Sequence, residues 1–215
     1  METLSKLFGS QARVKILRLF LFNAEEYFQA VDVRERTRVT MPKVRGELKM
    51  LENIKMIKRR SFYKEIEYAD GTVGKKRSWG YILNPDFEYL NALRNFLVNS
   101  TPLAQNDLAK RLAPAGALKL IVVAGVFIQD LDSRVDVLLV GDNLNMRRLE
   151  TIMRTIETEI GRELRYAVFP TKEFRYRLNV YDKLVRDVLD FPHQTIMDRL
   201  GAWQPSRKQV EESAQ

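Results

Sequence analysis

Hydrophobic spacing divides the chain into a helical half followed by a half that mixes strands and helices. Residues 11–22, QARVKILRLFLF, carry apolar side chains at Val14, Ile16, Leu17, Leu19, Phe20 and Leu21. That stripe is wide enough to be buried on more than one side, and Ser10 is placed to cap the helix. Residues 23–26 break it. A shorter helix is predicted over 30–37, anchored by Val31 and Val33. A third starts near Thr40, with Thr40 as the cap and Pro42 in the first turn, where a missing N–H costs nothing. Val44, Leu48 and Leu51 recur at i, i+4 and i+7, the spacing of a core stripe. At 100° per residue Pro42, Arg45, Gly46, Lys49 and Asn53 fall on the other side. Gly46 there lowers helix propensity by about 1 kcal/mol against alanine and leaves room for a close approach. Residues 58–68 and 75–83 then read as two strands joined by turn chemistry at 69–74. Phe62, Tyr63 and Trp79 on these strands are expected to pack in the core or across the hairpin.

Residues 85–98 form an amphipathic pattern that Pro85 would open. Two readings stand: a helix packed on the first domain, or a dimer helix of a homodimer that presents paired recognition helices to two half-sites. A short helix follows at 103–112, ended by Pro114-Ala115-Gly116. Residues 118–127 (LKLIVVAGVF) and 135–140 (VDVLLV) are apolar, β-branched runs of buried-strand type. Residues 146–160 have a helical stripe of Leu149, Ile152, Met153, Ile156 and Ile160. A third strand is predicted at 165–169, and helical or mixed structure at 172–177 and 181–190. The fold class is therefore expected to be α+β, a helical domain with a hairpin plus a small mixed sheet covered by helices. The expected divisions are 1–84, connecting helices at 85–116, a second domain at 117–202 and a polar tail at 203–215.

Charge sharpens this picture. The 215 residues hold 36 Lys+Arg against 28 Asp+Glu, a net of +8. Residues 1–84 hold 18 and 10 of these, and residues 85–215 hold 18 and 18, so the whole excess sits in the first domain. Such a field attracts phosphate backbones. Cysteine is absent and His193 is the single histidine, which excludes disulfides, thiol catalysis and multi-imidazole metal sites. His193 lies in a Phe-Pro-His turn and reads as a surface or hydrogen-bonded residue. The longest apolar run, residues 120–128, is far short of a membrane span of roughly 20 residues. METLSKLFGSQARVK has no signal-peptide pattern, so a soluble cytoplasmic protein is expected, with no membrane partner.

Three helices and a basic hairpin follow the order of a winged helix-turn-helix. A helix fits the major groove, and a hairpin reaches neighbouring phosphates. Double-stranded DNA is the expected partner. Thr40, Lys43, Arg45 and Lys49 are the candidate contacts on the third helix, and Arg59, Arg60, Lys75, Lys76 and Arg77 those on the wing. LFGSQARVKILRLF, the stretch VRERTRVTMPKVRGELKMLENIKMIKRR and the hairpin resemble the winged-helix transcriptional regulators of bacteria and archaea. The Leu48, Leu51, Glu52, Ile57 spacing carries much of that resemblance.

In the second domain, Gly125 followed by Ser133-Arg134-Val135-Asp136-Val137-Leu138 resembles the minimal nucleotidyltransferase family. Residues 161–168, with Glu173, Phe174 and Arg177, are similar to its regulator-fused branch. That resemblance implies a Gly-Ser turn for nucleotide phosphates, two strand-end carboxylates holding divalent metal, and a third carboxylate on a neighbouring strand. The chain departs from it at three points. Val126 stands at the serine position, Arg134 at the first carboxylate position with only Asp136 at the second, and the third strand has no interior acid unless Glu163 serves. A cation in place of an acid opposes a dication by several kcal/mol at an effective dielectric constant of about 20. Asp136 is expected to pair with Arg134 or another cation, and Asp130 and Asp132 to be solvated. The expectation is a non-catalytic domain, needing neither metal nor cofactor, that takes a nucleotide, an anion or a protein effector. The alternatives are an active metal-dependent nucleotidyltransferase and an antitoxin-like interaction protein.

Overall fold

The computed structural model describes residues 2–68, 71–97, 105–130 and 133–201. The fold class is α+β. The chain forms two compact units, Met1–Thr101 with Arg154–Glu163, and Pro102–Met153 with Leu164–Gln215.

The first unit begins with α1 (Glu2–Leu7), a short helix that the sequence pattern did not announce. Leu4 and Phe8 pack it on the core. Helix α2 (Gln11–Phe22) is capped by Ser10, whose Oγ accepts from Arg13 N at 3.2 Å. Its wide stripe is buried almost all round, including Arg18. Helices α3 (Ala30–Thr37) and α4 (Met41–Asn53) follow. The turn between them puts Arg38 in the left-handed region at φ 53°, and Lys15 Nζ donates to the Thr37 carbonyl at the end of α3. Thr40 occupies the cap position of α4, but its side chain makes no capping bond, contrary to expectation. Val44, Leu48 and Leu51 bury the inner face of α4 against α2 and α3. Arg13 Nε pairs with Glu47 at 2.9 Å and fixes the roll of α4 on α2.

Strands β1 (Ile57–Glu67) and β2 (Val73–Leu83) pair antiparallel from Ile57↔Leu83 to Glu67↔Val73. The buried residues of this ribbon are Ile57 and Leu83 at its base and Gly80, which lies against Phe28 and Phe62. Residues 69 and 70 of the predicted turn lie outside the described residues.

The helix predicted over 85–98 is shorter, α5 (Leu90–Leu97). Asn84 explains the difference. Its Oδ1 accepts from Asp86 N at 3.1 Å and its Nδ2 donates to the Lys55 carbonyl at 2.7 Å, so the chain turns at Pro85 instead of starting a helix. Leu90 and Leu97 are buried in the core of the first unit, which is why this unit extends past residue 84. Two polar groups lock that core. Arg18 Nε donates to the Leu97 carbonyl at 3.1 Å, and its Nη1 to the Glu159 carbonyl at 2.8 Å. Asn23 Nδ2 donates to the Leu19 and Gly161 carbonyls.

The second unit starts with α6 (Gln105–Leu112), which follows the predicted 103–112 apart from residues 103 and 104, outside the described residues. It carries a four-stranded sheet ordered β5-β4-β3-β6, with β3 (Ala117–Val123), β4 (Val137–Asp142), β5 (Tyr166–Phe169) and β6 (Gln194–Asp198). β4 and β5 are parallel; the other pairs are antiparallel. The parallel pair requires a crossover, supplied by α7 (Met146–Ile160), the helix predicted at those residues. Leu120, Val122, Leu138 and Val140 on one face pack with Phe174, Val185 and Val188 of α8 (Thr171–Asn179) and α9 (Lys183–Leu189). Ile121, Val123, Val137 and Leu139 on the opposite face are just as buried. β6 was not predicted; the sequence reading placed only a turn near it.

The strand predicted over 118–127 ends at Val123. Gly125, at φ 55°, turns the chain into a 3₁₀ segment, Gly125–Ile128.

Gly161 lies at φ 93°, and a Cβ there would sit 2.6 Å from the Arg18 carbonyl carbon. Gly161→Ala is expected to lower the stability of the full chain by about 1–3 kcal/mol, from left-handed strain and overlap with rigid backbone, as a drop in the urea midpoint.

Candidate nucleic-acid interface and the Asp136 site

The nine sequence-predicted DNA contacts are all exposed. Thr40 stands at the start of α4, and Lys43, Arg45 and Lys49 lie on its outer surface, opposite Val44, Leu48 and Leu51. An added Cβ at Gly46 would meet nothing within 4 Å, so this side of the helix is open.

The ribbon divides its cations between two faces. Residues opposite one another in an antiparallel pair share a face, and the side alternates along each strand. Arg59, Lys75 and Arg77 are therefore on one face, with Tyr63 and Trp79. Arg60 and Lys76 are on the other, with Phe62 and Lys64. The sequence reading grouped all five cations as one wing surface; the register separates them. Lys64 and Lys76 are directly opposed, a repulsive arrangement. Asp32 relieves it, pairing with Lys64 at 3.2 Å. Phe62 stacks on Tyr27, with ring centroids 5.0 Å apart. Tyr63 and Trp79 were expected to pack as well but are 70% and 55% exposed. The guanidinium of Arg59 lies 5.6 Å from the Trp79 ring centroid. The i, i+2, i+4 spacing of Lys75, Arg77 and Trp79 holds this grouping, and the sequence reading did not use it.

In the second unit, the structure brings Gly125, Val126 and Asp136 together. Asp136 is 1% exposed. Its Oδ1 accepts from Val126 N at 3.0 Å, and its Oδ2 from Arg165 N at 2.8 Å. Arg165 Nε approaches Oδ2 at 3.4 Å. A side chain at Gly125 would overlap Oδ1, so glycine is required there by the carboxylate behind it. The cation facing Asp136 is Arg165. Arg134 is two-thirds exposed and pairs with Asp187 at 3.0 Å.

Ser133 Oγ donates to the Val135 carbonyl at 2.9 Å. With Asp130, Arg134, Asp187 and Phe191 it lines a cleft of about 250 Å³. Glu163, the substitute third acid, pairs with Arg36 at 2.9 Å. Asp132 lies outside the described residues. Among the described residues, no group of three or more His, Asp or Glu is placed to hold a metal ion. The divalent metal that the nucleotidyltransferase resemblance implies does not fit these residues. Both oxygens of the one matching acid already accept backbone hydrogen bonds, and a guanidinium stands at the first acid's position.

Asp142, at the end of β4, was not singled out from sequence. Lys119 Nζ donates to its Oδ2 at 2.7 Å, and Thr171 N and Oγ1 donate at 3.0 and 2.8 Å. It thereby satisfies the start of α8, where Pro170 has no capping side chain. The Lys119 hydrogen bond, with those of Thr171, holds the carboxyl well below its ordinary range, at about 2. His193 Nδ1 lies 2.8 Å from the Phe191 carbonyl, within its turn.

Among the described residues, no helix is long and apolar enough to cross a membrane. Compared with known proteins, the chain matches no family model, no curated protein and no solved structure.

Two substitutions test these carboxylates. Asp136→Ala strips the acceptor from two N–H groups and is expected to cost about 1–3 kcal/mol for each, read from urea unfolding. Asp142 favours its ionised form in the folded state, so its stabilisation is present above about pH 4 and lost as pH falls toward 2. Asp142→Asn should lower the urea midpoint at neutral pH, with the gap from the parent closing over that acidic window.

Proposed function

We propose that the protein is a DNA-binding transcriptional regulator, its first unit acting as a winged helix-turn-helix on double-stranded DNA. The observation that carries this reading is the division of α4. Val44, Leu48 and Leu51 hold it on the core, and Lys43, Arg45 and Lys49 stand clear on the outer side. Among the described residues of the first unit these side chains are exposed and a Cβ at Gly46 would meet nothing within 4 Å, and the adjacent ribbon carries seven cations against two acids, a net of +5. Phosphate contacts from Arg59, Arg60, Lys75, Lys76 and Arg77 would position the domain, while groove contacts from α4 would supply sequence preference.

The second unit, on this reading, is nucleotidyltransferase-like and non-catalytic, serving to bind an effector. Asp136 supports this assignment because its hydrogen bonds make it a structural joint between the Gly125 turn and the start of β5. The enzyme alternative would need that carboxylate to leave its donors and gather further acids around a metal.

Arg45→Ala with Lys49→Ala is expected to weaken duplex binding and to flatten the slope of log K against log salt, by about one unit for each of the two that reaches a phosphate at the groove edge rather than a base. Fluorescence anisotropy across a salt series measures both. An unchanged slope with unchanged affinity removes α4 from the interface.

A further inference from the structure

The ribbon face that bears Arg59, Ser61 and Tyr63 on β1, and Lys75, Arg77 and Trp79 on β2, alternates ring and cation. Tyr63 faces Arg77 directly, and Trp79 is its diagonal neighbour. Arg77 Nη2 donates to Ser61 Oγ at 3.3 Å, and Arg59 lies over the Trp79 ring, so both guanidiniums are held beside the rings. Glu65, opposite Lys75, is the one acid on this face apart from Glu67 at the tip. The other face has a partner for its ring, Tyr27 on Phe62. Among the described residues no ring stacks on Tyr63 or Trp79, though each exposes more than half its surface. An aromatic that large, left in water, presents a π-face to an incoming group. This face holds three cations against two acids, and the ribbon as a whole is net +5, a field that favours an anionic polymer over a neutral or basic protein surface.

We propose that this face stacks on nucleobases: Trp79 and Tyr63 take unpaired bases of DNA while Arg59, Lys75 and Arg77 hold the flanking phosphates. The proposal rests on the reading of the first unit as a DNA-binding domain and adds a substrate class to it, duplex DNA with an unpaired stretch beside the α4 site. Base pairs within an intact duplex offer no free π-face, so the face engages only where bases have left the stack.

The full chain with Trp203→Phe makes Trp79 the sole indole, because the sequence has two tryptophans. Its emission and affinity are measured on a blunt duplex and on the same duplex carrying a short central bubble. The bubble duplex should bind at least about 5-fold more tightly and quench Trp79, whereas the blunt duplex leaves its emission in place. Trp79→Ala should bring the ratio of the two affinities close to one, and Trp79→Phe should restore part of it. Urea midpoints matching the parent show that the variants are folded. Equal affinity for both probes, or a preference that survives Trp79→Ala, overturns stacking. If that equal binding is weakened by Arg45→Ala, duplex recognition by α4 stands without it. Failure to bind either probe overturns both.

Discussion

A single guanidinium in the middle of the first unit constrains everything packed around it. Arg18 is buried, and a buried charge is tolerated only where its donors find acceptors. The acceptors are main-chain carbonyls at the ends of two helices, Leu97 of α5 and Glu159 of α7. Burial pushes the guanidinium below its ordinary range, and the charge of Glu159 opposes that shift. Helix C-termini carry partial negative charge, so these partners suit a cation. Gly161 lets the chain beyond α7 lie against the backbone of α2. With α2 fixed, the Arg13–Glu47 pair and the Val44, Leu48, Leu51 stripe set the side of α4 that remains outside. The proposed interface thus depends on a contact made well within the core.

Asp136 plays the corresponding part in the second unit. An acid so placed, with one oxygen on the Gly125 turn and the other on the chain entering β5, ties three segments of the sheet together. A metal ligand needs an accessible oxygen and other acids beside it, whereas this carboxylate is buried, accepts a backbone hydrogen bond at each oxygen and faces Arg165. The same Gly and Asp spacing that resembles a nucleotide site has a structural use here, with each oxygen of Asp136 accepting a backbone hydrogen bond. This is why geometry, rather than residue identity, separates a joint from a catalytic group.

Legibility followed the strength of the periodic signal. Helices α2, α4 and α7 were readable because each buries a stripe of three or more apolar residues at helical spacing, whereas α3 buries Val33 and Thr37 and leaves Val31, the other expected anchor, exposed. β6 was not, since QTIMD is a short, half-buried strand with little alternation to separate it from a turn. α1 was too short to show a period. The misplaced start of α5 traces to Asn84, whose side chain competes for backbone groups that a helix would otherwise use. The cations of the candidate interface could be named from sequence. Their division within each strand lay in the i, i+2 alternation, but which cations of the two strands share a face depends on a register that hydrophobic content leaves weakly specified at the polar tip. Asp142 was hidden for a different reason: its partners Lys119 and Thr171 are remote in sequence, and only the sheet brings them together.

The ribbon also illustrates how a protein carries a long pair of strands without inviting a third. β1 and β2 form a sheet of their own, and among the described residues the one β-bridge outside that pairing joins Tyr81 of β2 to Phe28. Much of the remaining edge is bare main chain of the kind that recruits other chains into aggregates. Along β1 that edge runs past Lys58 and Lys64, which pair with Asp86 and Asp32, and past Arg59 and Arg60, charges of the kind that disfavour such recruitment. Charge along an unpaired edge is a gatekeeper against strand addition, so Arg59 and Arg60 suit the free protein as well as the proposed interface.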